Sequence, residues 1–146
     1  MSADTVSFIG VGDVHFERPD GESIFRHVQS HFDRADVRFA NSEQVYGSGH
    51  TRVQAHATYP HPRGAEVVAG VGFDVISFAN NHALDWGPDG LLDALRRTEA
   101  AGVRTIGAGA TITETSTPSA SADSRRPPRP DPPMPLPAEI MEHAFH

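Results

Sequence analysis

Val75-Ile76-Ser77-Phe78-Ala79-Asn80-Asn81-His82-Ala83-Leu84-Asp85-Trp86-Gly87 is the stretch on which the reading of this 146-residue chain turns. Its first four residues read as a buried strand, and Gly87-Pro88 opens a helix, because proline suits the first helical turn. Between strand and helix stand two amides, an imidazole and a carboxylate. A strand that runs into a helix is the building unit of a parallel α/β sheet, and in such sheets ligands bind beyond the C-terminal strand ends. Asn80, Asn81, His82 and Asp85 are therefore candidate site residues.

The alternation extends in both directions. Val6 to Val11 reads as a buried first strand. From Glu22 to Ala35, the residues Ile24, Phe25, Val28, Phe32 and Ala35 fall at helical spacing, with Asp20 or Ser23 available as the cap. Val37 to Ala40 gives a short second strand. Ser42 to Arg63 is polar and carries glycines and prolines, a surface loop long enough to bear function, and its His50, His56 and His61 read as solvated. Ala65 to Ala69 gives a short helix closed by Gly70 and Gly72, ahead of a third strand from Val75 to Phe78. Leu91, Leu92 and Leu95 form the buried stripe of a helix ending at Gly102, and Val103 to Ile106 is a fourth strand closed by Gly107-Ala108-Gly109. The order predicts an α/β fold on a parallel sheet with right-handed crossovers.

Composition narrows the function. Net charge is −7, from 12 basic residues, all arginine, against 19 acidic ones. No basic face is available to neutralise phosphates, which argues against a nucleic-acid partner. The absence of cysteine excludes disulfides and thiolate zinc sites. No basic-then-apolar leader is visible, and no apolar run approaches the ~20 residues of a membrane span, so the expectation is a soluble, cytoplasmic product. Most of the 12 prolines follow Thr111. Residues 111–146, with a Ser/Thr/Ala-rich stretch and then a Pro-rich run from Arg125 to Pro137, are expected to be a disordered or polyproline-like tail behind a domain of residues 1–110. Such a tail reads as a linker, with a polyproline ligand for a partner domain as the alternative.

Three strand ends carry groups of metal-ligand type: Gly12-Asp13-Val14-His15, Asn41-Ser42-Glu43 and Asn80-Asn81-His82. Parallel strands bring all three to one edge. Oxygen and imidazole donors without thiolate suit Mn, Mg, Fe or Zn. Asp13 and His15 can turn toward one ion, Glu43 can bridge two, and Asn81 can offer its amide oxygen. A two-metal site activates water and stabilises charge on a phosphoryl group, with His82 placed to protonate a leaving group. Each residue also has a plainer role. Asp13 can cap a turn, His15 can be solvated, Glu43 can be a surface carboxylate, and Asn80 and Asn81 can brace the loop backbone. Asp85 can hydrogen-bond within its turn while Trp86 packs over the helix start. A dinucleotide fingerprint after Gly10-Val11-Gly12 fails, because His15 stands where the third glycine belongs and no helix begins there.

Taken together, Gly12-Asp13, Asn41-Ser42-Glu43, the Asn80-to-Gly87 element with its Gly72-to-Val75 approach, and Gly107-Ala108-Gly109 resemble the CapA family. These are bacterial capsule-synthesis proteins, also called poly-γ-glutamate biosynthesis proteins, and the resemblance spans residues 6 to about 110. It implies a calcineurin-like metallophosphoesterase fold, an α/β/β/α layered sandwich with a dinuclear metal site. By position, Asp13 and His15 match the first metal motif, Glu43 the acid of the second, and Asn81 and His82 the Asn-His pair, as ligand and leaving-group residue. Ser42 departs from the family's leucine. The family's later strands and histidine motifs have no counterpart after Ala110, and His143 and His146 lie in the wrong context to replace them. The chain thus reads as a truncated N-terminal half with a tail of foreign composition, and a shifted reading frame is the hypothesised cause. Absence of a family-like continuation in the other frames of the coding DNA would defeat that cause. The expected function is capsule-related and phosphoesterase-like, on a phosphoester or capsule-polymer substrate, with weak or no turnover. The alternative is a non-catalytic binding or assembly subunit, and the oligomeric state stays open.

Overall fold

The computed structural model describes residues 5–115. Among these, β1 (Phe8–Val14), β2 (Val37–Ser42), β3 (Val75–Ser77) and β4 (Arg104–Ile106) form one parallel sheet in chain order, β1-β2-β3-β4. The connections carry a 3-10 turn (Gly21–Phe25), α1 (Gln29–Phe32), α2 (Gly64–Val71) and α3 (Gly87–Ala100), and a final turn of helix, α4 (Ile112–Thr115), follows β4. The α2 helix packs against both the 3-10 turn and α3, and α3 against β4, so the helical layer runs side by side along the sheet. Crossovers of one hand in a sheet wound in one direction place their helices on a single face.

That face holds the core. Along β2 the buried residues are Arg38, Ala40 and Ser42, alternating with half-buried Val37, Phe39 and Asn41, as the two-residue period of a strand requires. Ala40 and Ile76 share one buried apolar cluster with Val67, Val68, Leu91 and Leu95 from the helices. Phe32 and Phe73 pack edge to face with ring centroids 5.2 Å apart, and Phe25 joins Phe73 at 5.5 Å. The other face is apolar but open: Phe8 is 65% exposed, and its ring lies 6.4 Å from that of Phe39.

Several expected boundaries move. The single helix expected from Glu22 to Ala35 is broken into the 3-10 turn and the one-turn α1. Ile24 and Val28 remain partly exposed while Phe25 and Phe32 are buried on Phe73. Contacts to that one ring override a local helical preference already weakened by Val28, His27 and His31. Neither expected cap operates, because Asp20 makes no side-chain cap bond and Ser23 lies inside the turn. β1 starts two residues late and runs on to Val14, and β2 extends through Ser42, so Asp13, Asn41 and Ser42 lie within strands. Gly72 does close α2, in the left-handed conformation at φ 96°, which glycine adopts without a Cβ penalty. Residues 111–115 carry α4, whose Thr115 carbonyl accepts from Gly107 N at 3.2 Å. The rest of the expected tail, with the Pro-rich run, His143 and His146, lies outside the described residues. Among the described residues no helix is long and apolar enough to cross a membrane.

Candidate functional site

The edge beyond the strands is organised by a bulge in β1. Gly10 pairs with Phe39, but the next pairing on that side is Asp13 with Asn41, one residue further along β1 than along β2. A regular ladder would set Gly12 opposite Asn41. The extra residue instead brings Asp13 onto the Asn41 side and leaves Val14 to enter the core beside Ser42, the re-aiming that bulges commonly perform. A row of hydrogen bonds results. Asn41 Nδ2 donates to Asp13 Oδ1 at 2.5 Å, and Asn80 Nδ2 donates to Asn41 Oδ1 at 3.0 Å and to the Ser42 carbonyl at 2.7 Å. Asn80 Oδ1 then accepts from His82 N at 2.9 Å, so Asn80 braces the turn backbone as well as joining the row.

Asp85 is the second organising residue. Its carboxylate, 2% exposed, accepts from His82 Nδ1 at 2.8 Å and from Thr58 N at 2.7 Å, all through Oδ2. The expected hydrogen bond within its own turn is therefore present, and its partner is the candidate proton donor. The Asp85 carbonyl also accepts from Val53 N and Gln54 N, at 2.9 and 3.3 Å. Trp86 caps the same contact, with Nε1 donating to the Thr58 carbonyl at 2.7 Å. Hence the long loop is pinned onto the turn that carries His82.

The remaining candidates lie around this frame. Glu43 N donates to the Val14 carbonyl at 3.1 Å, which places Glu43 just past the Asp13–Asn41 pair. His15 and Asn81 are exposed, and His15 Nε2 lies 3.7 Å from Glu17 Oε1. These donors share an edge without sharing a coordination sphere. Among the described residues no three His, Cys, Asp or Glu side chains are gathered to hold a metal ion, and Asp13 Oδ1 and Asn41 Oδ1 each accept from a neighbouring amide. As arranged, the residues do not fit the dinuclear centre that the CapA resemblance implies.

Two loop histidines differ from the solvated reading. His61 is buried, with Nε2 2.8 Å from the Arg18 carbonyl, and His50 Nε2 lies 3.1 Å from Asp93 Oδ2. His56 is exposed as expected. Two supporting residues are not visible in the sequence pattern. Buried Gln44 mimics a strand neighbour, accepting from Phe16 N at 2.6 Å and donating to the Phe16 carbonyl at 3.1 Å, which fixes the chain just after His15. Thr58 sits mid-loop with no neighbouring motif to single it out.

An all-parallel sheet with polar residues gathered at its C-terminal strand ends defines an α/β protein, a class in which that edge is the usual place for ligands. The chain belongs to the bacterial capsule synthesis protein family PGA_cap, whose sequence model matches residues 7–126. Its role is thus related to capsule synthesis. The match runs beyond Ala110, where the quoted motifs end. Among curated proteins none matches the chain.

Proposed function

We propose that the protein serves capsule synthesis by hydrolysing a phosphoester or capsule-polymer substrate at this edge, with water as the nucleophile and His82 delivering a proton to the departing oxygen. The observation that carries this reading is the 2.8 Å contact between His82 Nδ1 and the buried Asp85 carboxylate. A carboxylate on Nδ1 fixes that nitrogen as the N–H donor and orients the ring, which leaves Nε2 as the working atom. His82 itself is only partly buried, so Nε2 can meet a substrate. Asp13, Asn41 and Asn80 supply an adjoining polar surface. Because the metal-type donors do not converge, the proton step is derived from His82 and Asp85 alone.

Turnover of an aryl phosphate, measured with and without added Mn, tests the proposal. His82→Ala is expected to lower kcat by roughly a hundredfold or more, the usual contribution of a positioned acid. Equal turnover in the two proteins would overturn it. Stimulation by Mn that disappears in Asp13→Ala would bring a metal back to this edge. A second reading, an assembly role without catalysis, is favoured by the open apolar face around Phe8. It predicts that His82→Ala supports capsule formation as well as the unaltered protein does.

A further inference from the structure

We infer that the loop from Gly47 to Arg63 is an anion-recognition lip for the His82 edge, on which Arg52 and His56 receive a second anionic group of the substrate, a phosphate or carboxylate remote from the reacting bond. The inference rests on the reading of that edge as a substrate site. Its first support is charge. The chain has net charge −7, yet no Asp or Glu occurs between Glu43 and Glu66, where His50, Arg52, His56, His61 and Arg63 lie. Three of these already have partners: His50 with Asp93 at 3.1 Å, His61 with the Arg18 carbonyl at 2.8 Å, and Arg63 with Glu22 at 3.6 Å. Arg52 and His56 are exposed. Arg52 donates to the carbonyls of Gln54, at 2.8 Å, and Ala55, so its guanidinium is held on the loop by neutral acceptors.

The second support is attachment. Val53, next to Arg52, donates to the Asp85 carbonyl, and Thr58, two residues past His56, donates to the Asp85 carboxylate that also holds His82. The two basic residues are therefore carried by a segment fastened to the reacting edge at both ends. A loop that carries basic and no acidic side chains, on a chain of net charge −7, favours anions there. Arginine presents paired donors that match the planar oxygens of a carboxylate or the tetrahedral ones of a phosphate.

Titration of the isotope-labelled full chain with inorganic pyrophosphate, and in a parallel arm with citrate, at fixed ionic strength tests the lip without relying on turnover. Saturable shifts of the Arg52 Nε–H and His56 ring signals are expected, with the tighter arm identifying phosphate or carboxylate as the favoured group. Arg52→Gln should weaken binding about tenfold, the loss of one charge-assisted hydrogen bond. Signals at Arg52 and His56 that stay still, or an unchanged Kd in Arg52→Gln, overturn the lip even if the aryl phosphate is hydrolysed. Conversely, shifts at these residues in a protein without turnover uphold the lip and remove only the hydrolytic reading.

Discussion

Tyr46 is fully buried beneath Phe16 and Phe78, and its hydroxyl has no hydrogen-bond partner among the described residues. The nearby Ser42 hydroxyl donates to the Gln44 carbonyl at 2.8 Å, and its oxygen offsets only a part of the effect of burial on the phenol. Burial pushes the phenol well above its ordinary pKa, because an ionised oxygen would have no water around it. The ring is indispensable to the packing and the oxygen is a cost. Tyr46→Phe is therefore expected to raise stability by roughly 1 kcal/mol in urea unfolding. Gly64 is shaped by the same ring, since a Cβ there would collide with Tyr46 Cδ1. At this scale the site was only partly legible. His82 stood out as a proton donor because an imidazole after a buried strand has no packing reason to be there. That Asp85 would land on Nδ1 depends on the turn's backbone geometry, and that Thr58 would share the carboxylate depends on a fold-back across 27 residues of sequence, which no local pattern encodes.

At the scale of elements, buried polar groups do the joining. Arg38 on β2 donates to the Phe32 carbonyl at 2.6 Å and to the Gly72 carbonyl at 2.8 Å, fastening the ends of α1 and α2 to the sheet. On α3, Asp93 ties down the long loop. It accepts from Arg97 Nε at 2.7 Å and lies 3.1 Å from His50 Nε2. The Arg97 guanidinium, and to a lesser degree His50, hold its carboxyl below the usual value of 3.8, with partial burial opposing them. Folding thus lowers the pKa, so the unfolded chain binds more protons in that range. The Asp93 contribution is complete above the ordinary carboxylate value and is lost as pH falls through the folded one. Asp93→Asn should flatten this part of the acid unfolding curve below about pH 4, as followed by circular dichroism in urea. The strands and the long α3 could be read from sequence because apolar runs and glycine or proline boundaries mark them. The bulge between Gly10 and Asp13 could not, since Val11-Gly12 satisfies a regular strand equally well, and the broken α1 depends on the distant Phe73 ring.

For the molecule as a whole, the described residues leave the sheet with one face under helices and one open. Phe8, with half-buried Val37, Phe39 and Val75, leaves an apolar surface of the sort that drives self-association in concentrated solution. Phe8→Thr is expected to raise the concentration at which light scattering begins. Thermal unfolding should move little, because exposed substitutions seldom change stability by more than about 0.5 kcal/mol. Net charge of −7 opposes the same association, and added salt should strengthen it by screening. Strand order that equals chain order also has a consequence in time. Each strand pairs with the one synthesised just before it, so the sheet can grow strand by strand as the chain leaves the ribosome. Asn41 and Asn80 are separated by 39 positions, which at about 5–20 residues per second amounts to roughly 2–8 s of synthesis. During that interval the nascent β1–β2 pair presents Asp13 and Asn41 without the amide that later closes their row, and this polar edge is completed only when β3 arrives.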